Sequence, residues 1–397
     1  MKRKKLKIAI FHLGFFFSGG GEKLVLEEAE ELIKRGHDVS LFAPVIDRID
    51  CFPDIIKRIE VQSLFFPFSF NFPLRDFVSI VGAIAFTPLT FFRFKKYDVF
   101  FGANQPGPLI CFFLSKLLNK PYIIYLSQPT RLLYPRKVDL EKGFGKGSFN
   151  VFYLITKIFR PLIFHLDKIS IRGANTILSN GEYMKNIIEE VYHIETISCP
   201  AGCHMQGKSY KEKRITPFIL TTNRHFPQKR LDYAILFLKE IIKIYPQILL
   251  VITGATTAYT QKLKNLVKKF KLDNKVVFTN LISEKKLKNL YSKATVYIYT
   301  SPEEDFGMGI IEAMGAGTPV IAWKKAGPAT TIINGKTGYL ITPYKKQEFI
   351  NKIILLIKDK KKNILMGKQA KIHVNKNYTF AKHNDILEDE LLKALDK

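Results

Sequence analysis

Two glutamates with seven residues between them, Glu304 and Glu312, stand in the string Ser301-Pro302-Glu303-Glu304-Asp305-Phe306-Gly307-Met308-Gly309-Ile310-Ile311-Glu312-Ala313-Met314-Gly315-Ala316-Gly317-Thr318-Pro319-Val320. Ionised carboxylates accept hydrogen bonds on two oxygens and so suit neighbouring hydroxyls such as those of a sugar or a ribose. The apolar run Thr295–Tyr299 ahead of the string reads as a strand, and Gly309–Gly315 as a short helix. The segment between them therefore lies at the carboxyl end of a strand, where open α/β sheets bind ligands. Unpaired N–H groups and the helix dipole at that point suit phosphate oxygens, which makes Phe306, Gly307, Met308 and Gly309 candidate binding residues. An idle acidic cap accounts for Glu303, Glu304 and Asp305, but not for the glycines or Glu312.

Cations and turns recur at other strand ends. Arg224 follows the strand Phe218–Thr222, with Lys229 and Arg230 close behind. Each alone reads equally well as a solvated surface charge, yet delivery by a strand end favours a site for Arg224. Gly254 follows the strand Ile248–Thr253, and Gly19-Gly20-Gly21 follows the strand Lys7–Phe11. A glycine turn before a helix is common and carries little weight by itself. After the strand Tyr122–Leu126 come Ser127-Gln128-Pro129-Thr130-Arg131, with Tyr134 beyond.

These residues need a scaffold that alternates strands and helices. The start of the chain supplies it: strand Lys7–Phe11, glycine loop, helix Glu22–Arg35 and strand Val39–Ala43 form a βαβ unit with a parallel sheet. Further strands are expected at Val99–Phe101, Tyr122–Leu126, Thr176–Leu178 and Glu195–Ser198, with a helix at Tyr183–Glu190. After a charged junction through Lys213 the pattern resumes. Strands Phe218–Thr222, Ile248–Thr253, Val276–Phe278, Thr295–Tyr299 and Val320–Trp323 alternate with helices Leu231–Tyr245, Tyr259–Phe270, Glu284–Ser292 and Gly309–Gly315, and an amphipathic helix Asn384–Leu395 closes the chain. With 397 residues, the chain suits two doubly wound α/β domains, each with its own core.

Composition narrows the class. The net charge of +27 implies a negatively charged partner or surface. It is uneven, with 27 Lys and Arg against 19 Asp and Glu in residues 1–200 and 35 against 16 in the remainder. Phenylalanine runs the other way, 25 of 33 falling in residues 1–200. The lysines are dispersed and match no nucleic-acid module, so a basic nucleic-acid-binding protein is the lesser alternative and no nucleic-acid partner is expected. Four scattered cysteines make no disulfide framework and fit a reducing cytoplasm. Cys199 and Cys203 near His193 and His204 match no common zinc spacing, so no metal is expected. Met1–Phe17 imitates a signal peptide but lacks a small-residue cleavage site, and reads better as a buried first strand. No apolar stretch reaches the length of a membrane span; Phe77–Phe92 comes nearest.

The string from Ser301 to Val320 resembles the signature of the retaining glycosyltransferases of family 4. The resemblance covers most of the chain: Gly19-Gly20-Gly21-Glu22-Lys23, Thr222-Asn223-Arg224 with Lys229-Arg230, Gly254, Gly327-Pro328 and Asn334–Leu340 follow the same pattern. It implies the GT-B fold, two Rossmann-like α/β domains facing a central cleft, with an acceptor-binding domain 1–200, a nucleotide-sugar-binding domain 201–383 and a final helix 384–397 crossing back to the first. It implies catalytic roles for Arg224, Lys229 and Glu304, donor binding by Gly20, Gly21, Gly254, Phe306, Gly307, Met308, Gly309 and Glu312, and substrate contacts by Gln128 and Arg131. Many relatives carry a histidine where Ser127 and Gln128 stand, so this chain departs from the pattern there. No Asp-x-Asp motif is present, and no cofactor beyond the nucleotide-diphosphate sugar is implied. The donor expected first is GDP-mannose, with a UDP-sugar as the alternative. The implied acceptor is a lipid-linked or surface-glycan hydroxyl. A catalytically idle binding subunit is the second reading. Phe65, Phe66, Phe68, Phe70 and Phe72, the stretch Phe77–Phe94 followed by Lys95 and Lys96, and Phe149–Phe164 suggest docking on the cytoplasmic face of an anionic membrane. The alternative is that both segments are core helices of the first domain.

Overall fold

The computed structural model of the protein describes residues 4–16, 19–49, 51–64, 75–131, 133–136, 157–204 and 217–396. The Phe65–Phe72 segment, residues 149–156 and most of the charged junction through Lys213 lie outside the described residues. The chain forms two compact units, Met1–Gly202 with Phe380–Lys397, and Cys203–Thr379.

The first unit is built on β1 (Lys7–His12), α1 (Gly20–Lys34), β2 (Asp38–Ala43), α2 (Pro53–Ile56), β3 (Val61–Ser63), α3 (Arg75–Phe86), a 3-10 segment Pro88–Phe94, β4 (Val99–Ala103), α4 (Gly107–Leu118), β5 (Tyr122–Leu126), α5 (Arg160–Arg172), β6 (Thr176–Ser179), α6 (Glu182–Tyr192) and β7 (Ile197–Ser198). Its strands pair in parallel in the order β3-β2-β1-β4-β5-β6-β7. A sheet covered on both faces needs strands that are apolar throughout, and β4 and β5 are buried at every position. The α1 helix ends because Gly36 takes φ +96°, which lets His37 N–H reach Leu32 O at 3.1 Å and Gly36 N–H reach Ile33 O at 2.9 Å. This double closure satisfies the last carbonyls and turns the chain into β2.

The second unit contains β8 (Phe218–Thr222), a 3-10 turn Pro227–Lys229, α7 (Leu231–Ile241), β9 (Leu249–Thr253), α8 (Ala258–Lys269), β10 (Val276–Asn280), α9 (Glu284–Lys293), β11 (Val296–Tyr299), α10 (Met308–Gly315), β12 (Val320–Trp323), α11 (Ala326–Thr331), β13 (Gly338–Ile341), α12 (Lys346–Lys358) and α13 (Lys360–Asn377). Its sheet is parallel in the order β10-β9-β8-β11-β12-β13. Phe237, Trp323 and Phe349 anchor its core, Phe349 lying 4.7 Å from each of the other two rings. The last helix, α14 (Phe380–Leu395), belongs to the first unit, where it packs on α1.

Some elements differ from the sequence expectation. Residues 342–383, to which the pattern assigns no element, form α12, α13 and the start of α14, and the short helices α2 and α11 and the short strand β3 are likewise not expected from it.

Candidate functional site

Within each sheet the strand order reverses direction once. In the second unit this happens between β8 and β11, and ligands of such sheets bind beyond the strand ends at that point. The ends of those two strands deliver Asn223-Arg224 and the Ser301–Gly307 segment. Arg224, Lys229, Glu304 and the residues opening α10 are therefore brought to one edge of one sheet.

Lys229 Nζ lies 2.5 Å from Glu304 Oε2, with both side chains largely covered. The buried hydroxyl of Tyr299 faces two acceptors for its one proton, the Glu304 carboxylate and Asn223 Oδ1 at 3.3 Å. Burial, with Glu304 adding to it, pushes the Tyr299 hydroxyl well above its ordinary pKa, so it stays protonated and can donate. The guanidinium of Arg224 stands 5.5 Å above the ring of Phe226.

Glu312, in the second turn of α10, accepts a 2.8 Å bond from Tyr291 OH. Tyr291 and Tyr297 each meet Thr222 Oγ1 at 2.8 Å, so a short polar chain runs from Glu312 back to the end of β8. Burial drives the Tyr291 hydroxyl well above its usual range, with the Glu312 charge adding to it. Tyr291, Tyr297 and Tyr299 are not expected here from the sequence, because an aromatic residue in an apolar strand or on a helix face reads as core; Thr222 stands in the motif Thr222-Asn223-Arg224.

Several glycines have a steric reason here. A Cβ on Gly309 would come within 2.3 Å of Tyr297 OH and 2.8 Å of Thr222 Oγ1, so the chain beneath α10 exists only with glycine there. Gly254 has φ +141°, and a Cβ would meet Asn223 O at 2.0 Å. Gly307 takes φ +89° as it leads into α10, and Phe306 is buried against the ring of Tyr378. Met308 and Gly309 are the first residues of α10, where backbone N–H groups lack helical partners.

The other expected residues lie in the first unit. Gly20 and Gly21 open α1, and a Cβ on Gly21 would meet nothing within 4 Å. Gln128 and Arg131 bond each other, Arg131 Nε donating to Gln128 Oε1 at 2.8 Å. Ser127 is held by Asn104, whose Oδ1 accepts from Ser127 N at 2.9 Å. Tyr134 packs against Tyr192 and Phe164, which makes it part of the core. Cys199 meets neither His193 nor His204; its sulfur lies 3.3 Å from His383 Nδ1.

Two family descriptions match the sequence, Glycosyltransferase Family 4 over residues 18–200 and Glycosyl transferases group 1 over residues 206–373. The alpha-1,3/1,6-mannosyltransferase ALG2 of Dictyostelium discoideum is 26% identical over 422 residues, covering 95% of this chain and 96% of the relative. The Saccharomyces cerevisiae protein of the same name is 25% identical over 380 residues, covering 84% and 72%. Among solved structures, Anabaena HepE in complex with UDP and glucose superposes with a TM-score of 0.76 at 18% identity, over 98% of this chain and 100% of its own. Sucrose-phosphate synthase from Thermosynechococcus elongatus gives 0.78 at 17% identity, over 96% and 98%. The chain belongs to the group 1 and family 4 glycosyltransferases and has their GT-B fold of two parallel-sheet Rossmann-like units.

Proposed function

We propose that the enzyme transfers mannose from GDP-mannose to a sugar hydroxyl of a lipid-linked or surface-glycan acceptor, with retention at the anomeric carbon. The observation that carries this reading is similarity along nearly the whole chain to alpha-1,3/1,6-mannosyltransferases. The cationic strand end of the second unit supports a nucleotide-diphosphate donor, as do structural neighbours solved with UDP. In the reaction the bond from the anomeric carbon to the diphosphate oxygen breaks and a bond to the acceptor oxygen forms. The hydroxyl proton passes to the departing diphosphate. Arg224, Lys229 and the N–H groups of α10 stabilise the charge that grows on the leaving oxygen, while Glu304 and Glu312 hold the sugar and the ribose.

The test is a panel of GDP-mannose, UDP-glucose, UDP-galactose and UDP-N-acetylglucosamine, scored by thermal stabilisation and by transfer of one hexose to octyl α-mannoside. Stabilisation by GDP-mannose with a gain of one hexose is expected. Stabilisation by UDP-sugars alone overturns the donor, and binding with neither transfer nor hydrolysis makes the chain a binding subunit.

For the acceptor side, we infer that the first unit docks on an anionic membrane. Among the described residues, Phe86, Leu89 and Phe92 are 50%, 69% and 61% exposed beside Arg93, Lys95 and Lys96. Ile158, Phe159 and Leu162 are exposed at the start of α5 beside Lys157 and Arg160, and both α5 and the 3-10 segment pack on α4. Apolar side chains ringed by cations fit an anionic interface. No described helix is long and apolar enough to cross a membrane. The protein should float with anionic vesicles and lose binding when Phe86, Leu89 and Phe92 become serine. Absence of flotation at low salt makes a water-soluble acceptor the better reading.

A further inference from the structure

In the first unit the strand order reverses between β1 and β4, and one side chain spans that crevice. His12 and Ala103 end β1 and β4 and face each other in register. His12 Nδ1 meets Ala103 O at 3.0 Å. A carbonyl oxygen can only accept, so Nδ1 carries the proton. The side chain is 4% exposed and its ring packs on Phe15, 5.1 Å between centroids. Burial holds the imidazole far below its ordinary pKa, at about 4, so at neutral pH the ring is uncharged and Nε2 is a bare lone pair. Among the described residues Nε2 has no hydrogen-bond partner.

The surroundings are built for close approach. Gly107, which opens α4, comes so near β1 that a Cβ would meet Phe11 O at 2.4 Å. At the end of β4, Asn104 is engaged with Ser127 N and Oγ, and neighbouring Gln105 with Asp167 and Ser170. Among the described residues nothing donates to the lone pair of His12 Nε2, which stands at the place where such sheets take ligands.

We propose that His12 Nε2 accepts a hydrogen bond from a hydroxyl of the acceptor sugar and orients it in the first unit. This rests on the glycosyltransferase reading above. So weak a base does not keep the proton; it fixes the direction of the hydroxyl, and the proton leaves with the diphosphate.

The amide side chains separate this role from a structural one. In His12→Asn the amide nitrogen replaces Nδ1 and keeps the bond to Ala103, while the Nε2 acceptor is lost. In His12→Gln the longer side chain places a carbonyl oxygen near the Nε2 position. With GDP-mannose and octyl α-mannoside, His12→Asn should lower acceptor kcat/KM about tenfold or more while donor hydrolysis and GDP affinity stay at wild-type values. His12→Gln should recover part of the loss. If His12→Asn is folded and its acceptor kinetics match the wild type, or if both variants lose donor hydrolysis equally with transfer, the proposal is overturned. A wild-type protein that neither transfers nor hydrolyses any nucleotide sugar instead overturns the function on which it rests.

Discussion

Lys229 and Glu304 form a 2.5 Å ion pair between the turn after β8 and the loop after β11. The carboxylate holds the ammonium at the sheet edge, so its position is set before a donor arrives. A fixed cation costs little reorganisation when charge develops beside it, which is how such groups favour the transition state over the ground state. Lys229→Ala and Arg224→Ala should each lower turnover about 100-fold, with smaller changes in donor affinity. Steady-state kinetics beside calorimetric GDP binding checks this, and unchanged turnover in both variants rejects the assignment.

Glu312 differs from Glu304 in what holds it, since Tyr291 OH donates to it at 2.8 Å from beneath. Glu312→Ala should raise the donor dissociation constant, whereas Glu304→Ala should chiefly slow transfer. Tyr291→Phe keeps the ring packing and removes only the hydroxyl that fixes Glu312, so donor binding should weaken in the same direction as in Glu312→Ala and by less. Equal effects of Glu304→Ala and Glu312→Ala on binding alone would remove the division of roles.

The loop carrying Glu304 was legible in the sequence because an apolar strand, glycines and a short helix follow one another within about twenty residues, all of them local signals. Tyr291 and Tyr297 were not, because they meet Thr222 only once β8, β11 and α9 are in register. His12 ends an apolar run and reads as one more core position until β4 lies beside it. In α13 the lysines crowd the sequence, and Ile364, Leu365 and Ile372 are exposed while Met366, Ala370 and Val374 are buried. Hydrophobic periodicity therefore points to no single face. β3 is three residues long, too short for alternation to register.

His12 also makes a prediction about stability. Its pKa falls from 6.5 to about 4 on folding, so the unfolded chain takes up a proton at a higher pH than the folded one. A depressed histidine contributes stability that is fully present above 6.5 and is lost as pH falls toward 4. Between pH 7.5 and pH 5, wild type should lose up to about 2 kcal/mol relative to His12→Asn, which has no such proton to bind. Paired urea denaturations at the two pH values measure the change; a constant difference means the ring is not buried neutral.

The closing helix α14 supplies the last prediction. Arg35, at the end of α1, donates to Glu388 Oε2 and Asp385 Oδ1 at 2.8 Å and to Ala381 O at 2.9 Å. His37 meets the other Glu388 oxygen at 3.1 Å, and His383 meets Glu28 at 2.8 Å with both side chains fully buried. A buried ion pair adds little net stability, because desolvation offsets attraction, but removing one partner leaves a charge in the core. Glu388 is 1% exposed and keeps its bond to His37, so Arg35→Ala weakens the compensation of a buried carboxylate and should destabilise the first unit by about 3 kcal/mol. The double variant Arg35→Met with Glu388→Met should cost far less, since it removes both charges. The sole tryptophan, Trp323, lies in the second unit, so its fluorescence follows that unit while far-UV circular dichroism follows both. The dichroism transition of Arg35→Ala should move to lower urea and largely return in the double variant. If the double variant is as unstable as the single one, packing of the arginine stem, not its charge on Glu388, holds α14 in place.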